Sequence, residues 1–242
     1  MLIDVVQLPR DLSAAHVDGR TVVVFDVLRA TTTMTAALAA GVREIFVQPD
    51  IASVLTAAEQ FGPDAITCGE RDCLPPAGFT LGNSPAGFTP AMVGRTAFMA
   101  TTNGTKAIVA ARGAKHLFVG ALVNATAVAQ AVAAVGNDVT LLCSGSDGLV
   151  SLEDLIGAGA VLKALSALKP VVLASDVALA AGDLFHHARP DLPAALVRTR
   201  GGTNIIRNGL QDDIEFAARL DVFDIVGKVE PDRLRIARHV AG

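Results

Sequence analysis

At 242 residues, 51% hydrophobic and 18% charged, the chain is long enough to bury a core and too apolar to remain disordered. A net charge of −4, no dense run of Lys or Arg and no Trp or Tyr to stack bases argue against nucleic-acid binding. The opening MLIDVVQLPRDL has no basic leader before an apolar run, and no stretch reaches the roughly 18 apolar residues of a membrane span. Cys68, Cys73 and Cys143 cannot all pair within the chain, so a cytoplasmic protein without a membrane partner is expected.

In chain order, short β-branched runs alternate with Ala-rich segments of helical length. The pattern predicts a strand at 21–27, a helix at 32–41, a strand at 44–47 and a helix at 51–61. It continues with strands at 96–100, 116–120, 139–143 and 170–175 and helices at 105–112, 124–135 and 152–168. From about 198 onward one helix, 210–220, is mixed with weaker strands. The alternation predicts an α/β fold, a sheet between two helical layers, and the C-terminal part makes a mixed sheet the expectation. TTTMTAALAAGVREIFV (31–47) also lies over NGTKAIVAARGAKHLFV (103–119), and VTLLCSGSDGLVSLEDLIGAGAVL (139–162) repeats the strand, polar loop and helix order. This echo is either an internal duplication or separate αβ units obeying the same packing rules.

Each of these loops leaves a strand and enters a helix, where open α/β sheets place ligands and where unpaired N–H groups attract anions. Arg29 and Thr31, Thr32 and Thr33 crowd the first loop; Thr101, Thr102, Asn103, Gly104, Thr105 and Lys106 form another. Two such loops on one sheet edge suit a ligand with two anionic groups. The competing reading makes the threonines helix caps and the cations solvated. No Walker loop, dinucleotide fingerprint, paired-aspartate phosphatase motif or GxSxG is present.

Four carboxylates have candidate roles. Asp26 ends an apolar strand, where burial is costly unless a cation or donors compensate. Glu70 precedes an unusually long Gly/Pro-rich loop at 74–90, and Glu153 and Asp154 follow Ser151 in a pattern that also fits a capping box. Magnesium, which needs only one or two carboxylates besides waters and phosphate oxygens, matches that set. His186 and His187 read as surface residues, Asp212, Asp213 and Glu215 as charges favouring a helix N-terminus, and CGERDC lacks zinc spacing.

Together, VVVFDVLRATTTMTAALAAGVREI, CGERD, GFTLGNSP, TTNGTKAI and GSDGLVSLEDLIGAGAV resemble the 2-phosphosulfolactate phosphatase family over nearly the whole chain. The resemblance implies a single domain over 1–242, a three-layer α/β/α fold with a mixed sheet, and a Mg²⁺-dependent hydrolase. That hydrolase would convert 2-phosphosulfolactate to sulfolactate and phosphate in coenzyme M biosynthesis. By motif, it implies catalytic roles for Asp26, Arg29, Glu70 and Lys106. Substrate contacts fall to Thr31, Thr32, Thr33, Arg71, Asn83, Ser84 and Thr101 to Thr105, with Asn103 and Gly104 among them. Metal ligation falls to Asp26, Glu70, Glu153 and Asp154. Asp26 is either a metal ligand or the nucleophile. Cys68 and Gly227 depart from the family pattern, which has a small residue and a proline there. A small anionic phosphorylated substrate is the expected partner, and a homo-oligomer is compatible with the sequence. The alternative from another class is a non-catalytic sensor of a phosphorylated metabolite with the same loops.

Overall fold

The computed structural model describes residues 1–240. The chain runs β1 (Leu2–Val6), a short α1 (Ala14–Val17), β2 (Thr21–Phe25), α2 (Ala30–Ala39), β3 (Glu44–Val47), α3 (Ile51–Phe61) and β4 (Ala65–Gly69). After the long loop come β5 (Thr96–Ala100), α4 (Gly104–Ala110), β6 (His116–Gly120), α5 (Ala125–Val135), β7 (Val139–Cys143) and α6 (Leu152–Leu168). The last part holds β8 (Val172–Leu173), α7 (Asp176–Ala188), α8 (Leu192–Val197), α9 (Arg200–Arg207), α10 (Gln211–Ala217), β9 (Gly227–Glu230) and β10 (Arg235–Arg238). All ten strands join one mixed sheet with helices on both faces, in the order β4-β5-β3-β10-β9-β6-β2-β7-β1-β8.

The sheet is two parallel halves zipped by a hairpin. Strands β4, β5 and β3 pair in parallel, as do β6, β2, β7, β1 and β8. Between them β10 and β9 pair antiparallel to each other and to their outer neighbours β3 and β6. Three antiparallel steps reverse direction, so the two halves run in opposite senses. The loops after β2 and β5 therefore do not leave one common edge of parallel strands, as the sequence pattern suggested. Their residues nonetheless line one cleft, because α2 and α4, which follow them, pack in one core with strands of both halves. Val22 and Val24 of β2, Ala97 and Met99 of β5, Met34 of α2 and Ile108 of α4 share one buried core. A sheet this wide accumulates enough twist to allow it. A second core lies on the other face, where α5, α6 and α7 cover β1, β2 and β7, and a small one lies under α3.

The echoed segments take equivalent parts in this plan. In 31–47, α2 carries the chain from β2 in one half to β3 in the other, and in 103–119 α4 carries it from β5 back to β6. The two helices are buried to different degrees: α2 is buried from Ala30 to Leu38, threonines included, whereas α4 buries Gly104, Thr105, Ala107 and Ile108 and leaves Lys106, Val109 and Ala110 exposed.

Candidate active site

Three loops from the two halves close on a cleft of about 260 Å³. Its lining includes Asp26, Leu28 and Arg29 after β2, Glu70, Asp72, Cys73 and Asn83 after β4, and Thr102 and Asn103 after β5. Ser146 and Asp147 after β7 add a fourth side, and Gly201, Asn204, Ile205 and Asn208 of the α9 region a fifth.

Asp26 sits at the junction of α2 and α4. Its Oδ1 accepts the Ala30 N–H at 3.1 Å, which places a carboxylate at the N-terminus of α2. Gly104 opens α4 directly against it. A Cβ there would lie 2.8 Å from both Asp26 Oδ2 and the Ala30 Cβ, so only glycine permits this approach. Gly104→Ala is accordingly expected to lower kcat at least about tenfold and to lower the melting temperature as well, because the added methyl meets both the Asp26 carboxyl and the buried, fixed Ala30 Cβ. Wild-type turnover in that variant would show that the close approach is dispensable.

Burial dominates the electrostatics of Asp26. Desolvation, with the charges of Glu70 and Glu153 nearby, pushes its pKa up to about 7 despite the Ala30 and Gly104 backbone donors. Glu153 and Asp154 are also raised, again mainly by burial. Asp154 lies beneath the cleft and uses both oxygens on backbone, accepting Val27 N–H at 2.9 Å and Gly145 N–H at 3.0 Å. It thereby ties the loops after β2 and β7 together. Glu153 accepts the Gly201 N–H at 3.1 Å through Oε1, while its buried Oε2 has no hydrogen-bond partner among the described residues. Glu70 spans two loops, accepting Thr102 N–H at 2.7 Å and Cys73 N–H at 3.1 Å.

Arg29 is the N-cap residue of α2, yet its side chain is buried and does not cap. One guanidinium nitrogen donates to Asp213 Oδ2 at 2.5 Å and the other to the Cys73 carbonyl at 2.6 Å. Ser84 Oγ donates to the same Asp213 oxygen at 2.7 Å. Asp213, read in the sequence as one of three charges favouring a helix N-terminus, is the buried counter-ion of the site.

The threonine hydroxyls bind backbone, most of it in their own loops. Thr31 Oγ1 accepts the Asp26 N–H, Thr32 donates to the Val27 carbonyl and Thr33 to the Asn83 carbonyl. Thr101 Oγ1 accepts the Thr105 N–H, and the Thr105 hydroxyl donates back to the Thr101 carbonyl. These hydroxyls shape the loops that present Asp26, Arg29, Thr102 and Asn103. Ser151 does not close the capping box suggested by SLED; its hydroxyl donates to Ser146 Oγ, and Glu153 and Asp154 reach other loops instead. Arg71 is exposed, while the exposed Lys106 lines a neighbouring hollow and not this cleft. Asn83 lines the cleft with a buried Oδ1 that has no partner among the described residues. The α9 contribution was missed in the sequence, where the only signals were Gly201-Gly202 and asparagines at a four-residue spacing.

Comparison with known proteins decides the kinship. The family model described as 2-phosphosulpholactate phosphatase matches residues 6–232. The chain belongs to the 2-phosphosulfolactate phosphatase family. A relative from Carboxydothermus hydrogenoformans is 37% identical over 98% of this chain and 97% of its own length. One from Symbiobacterium thermophilum is 37% identical over 88% of this chain and 92% of its own. A third, from Parasynechococcus marenigrum, is 41% identical over 84% and 86%. All three carry the name "Probable 2-phosphosulfolactate phosphatase". The motifs DVLRATTT, GER, GNSP and TTNGT each supply part of the cleft's wall, through Asp26, Leu28 and Arg29, Glu70, Asn83, and Thr102 and Asn103.

Proposed function

We propose that this chain is a phosphoric monoester hydrolase that releases phosphate from 2-phosphosulfolactate, or a closely similar small phosphorylated acid, with Mg²⁺ as its metal. The observation that carries the reading is the charge balance of the cleft. Asp26, Glu70, Asp72 and Asp147 line it, and the Arg29 guanidinium is already paired with Asp213. Such a wall repels a bare phosphate ester. A divalent cation reconciles the two, and the residues fit one: Asp26 is pushed up to about 7 for want of compensation, and the buried Glu153 Oε2 has no partner among the described residues. Those described residues hold no ready-made cluster of three or more His, Cys, Asp or Glu able to cage a metal. Magnesium does not require such a cluster, since it takes one or two carboxylates and fills its shell with waters and phosphate oxygens.

Asp26 would hold the ion, with Glu153 as a second ligand. When bound, Mg²⁺ supplies positive charge against the phosphoryl oxygens, the main requirement of phosphoryl transfer. The chain's own residues then fix the geometry. Asp154 locks the loops after β2 and β7, Glu70 locks the turn at 70–73 to the loop after β5, and Arg29 binds the 73 carbonyl and Asp213 beneath the substrate. Thr102 and Asn103 remain at the surface of the cleft to meet the ester.

Phosphate release from a panel of phosphorylated three-carbon acids, with EDTA and after readdition of Mg²⁺, tests this reading. Turnover is expected to vanish with EDTA and return with Mg²⁺. Anion binding without phosphate release under every condition would replace the phosphatase by the sensor.

A further inference from the structure

A hollow of about 530 Å³, against about 260 Å³ for the cleft, opens where β6 begins and β9 ends. The two strands are antiparallel, with Leu117 opposite Val229 and Phe118 opposite Lys228, so the start of one meets the end of the other. No residue lining this hollow lines the cleft, and the phosphatase reading makes no use of it. Its wall carries Lys115, His116, Lys228, Arg233 and Arg235 against Glu230 and Asp232. The chain as a whole has 24 acids to 20 bases, so this local excess of positive charge runs against its composition.

Arg235 is already committed. It binds both oxygens of Glu230, and donates to Glu44 at 2.8 Å on the neighbouring strand β3. That pairing also occupies Glu230. Lys115, Lys228 and Arg233 have no ion-pair partner among the described residues. Only Asp232 is left in the wall to balance three cations. Two imidazoles register the resulting field. Burial, then Lys228, Lys115 and His239, hold the His116 pKa below its ordinary value. Burial and Lys228 do the same for His239, whose ring stands edge-on to Phe118 at 5.3 Å. Charge of one sign is gathered here at a cost to the folded state, and nothing among the described residues discharges it. The groups come from three stretches: the entry to β6, the strand β9, and the turn that leads from β9 into β10.

We propose that this hollow binds a small multivalent phosphate, of the diphosphate or bisphosphate class, held by Lys115, Lys228 and Arg233 and clamping the β9–β10 hairpin to β6. A diphosphate spreads several negative charges over two centres, which matches cations standing on separate stretches of chain. Arginine takes two oxygens of one phosphate in a fork, and each lysine supplies a compact charge to whichever oxygens remain. The ligand is distinct from the substrate, because the hollow and the cleft share no residue. It acts on the stability of the sheet and leaves turnover as it is.

Calorimetric titration with inorganic pyrophosphate in EDTA tests the assignment, since without metal the acid-lined cleft repels the same anion. Lys228→Gln and Arg233→Gln are each expected to weaken binding about fivefold or more, and the double variant about twentyfold or more. Lys106→Met, beside the cleft, should leave it unchanged. Sulfate, with one centre, should bind at least about tenfold more weakly than pyrophosphate at equal ionic strength. At about a hundred times its dissociation constant, pyrophosphate should raise the melting temperature of the wild type by roughly 5–10 °C. The double variant should gain less than half as much at that concentration. Without ligand both single variants, relieved of mutual repulsion, should melt no lower than the wild type and keep kcat within about twofold, which separates a lost contact from a lost fold. Pyrophosphate binding that is absent, or unchanged in both variants, overturns the site. Equal affinity for sulfate overturns the two-centred ligand. Tighter binding of a short single-stranded oligonucleotide, weakened by the same substitutions, would put a nucleic-acid backbone in the hollow and overturn the small phosphate.

Discussion

Asp26→Asn is expected to lower kcat by at least about a hundredfold while making the metal-free protein more stable, not less. The loss follows from either role of Asp26, since an amide neither holds a divalent cation well nor attacks phosphorus. The gain follows from its burial. The ordinary pKa of 3.8 is raised to about 7 in the folded chain, so the folded state binds a proton that the unfolded state has released. Stability from this group is therefore complete below about pH 4 and is lost as pH rises through about 7. At pH 8, with EDTA present, the charged carboxylate costs about 2–4 kcal/mol that asparagine does not incur. Melting curves in EDTA should show the variant above the wild type at pH 8, with the gap closing toward pH 5. Added Mg²⁺ should stabilise the wild type and not the variant. Near-normal turnover by Asp26→Asn would remove Asp26 from both roles, and a gap independent of pH would contradict the burial argument.

Asp213→Ala is expected to have the largest effect on stability, about 3–5 kcal/mol, because it strands a buried guanidinium. The Arg29 and Asp213 side chains are only 3% and 6% exposed, and the ion pair holds Ser84 as well. In a chain of this size the loss corresponds to a fall of roughly 6–20 °C in melting temperature. The double variant Arg29→Met/Asp213→Leu should recover much of the stability, since well-packed apolar groups often replace a buried pair without loss. It should not recover activity, because the turn at 70–73 is no longer anchored by the Arg29 bond to the Cys73 carbonyl. A single Asp213→Ala variant that melts within about a degree of the wild type would show that Arg29 finds compensation elsewhere.

Much of the fold is legible because the β-branched runs are short and bounded. TAFMA, HLFVG and VTLLC form strands over the residues predicted, and 51–61 and 152–168 form helices with the predicted limits. Strand β1 escaped notice because LIDVV places Asp4 among its apolar residues, an acid whose Oδ1 accepts the Ser175 hydroxyl at 2.6 Å from far along the chain. Helices α7 to α9 escaped because 176–207 mixes Gly, Pro and charge without a clean period. The motifs located the cleft, but local sequence could not assign each member its partner. Asp213 lies 184 residues from Arg29, and nothing around it distinguishes a counter-ion from a helix-dipole charge. The same limit applies to the threonines: three consecutive hydroxyls look like donors for a ligand until the backbone they bind is in view. Whether a parallel run continues or reverses across the sheet depends on the β9–β10 hairpin, which carries no mark of its central position.

That hairpin has a consequence for how the chain acquires its activity. Glu44 of β3 and Arg235 of β10 are 191 residues apart in sequence, yet they are joined by a 2.8 Å bond at the seam between the halves. Pairings this remote are slow to find, since the intervening chain must first be brought into register. Asp26 stands on one side of the seam and Glu70 on the other. During refolding, each half can gather its own strands and helices early, with secondary structure recovering while the reaction centre is still in two pieces. Catalysis should then return late and all at once, as the hairpin docks, and substitutions in 227–238 should delay its return although none of those residues lines the cleft.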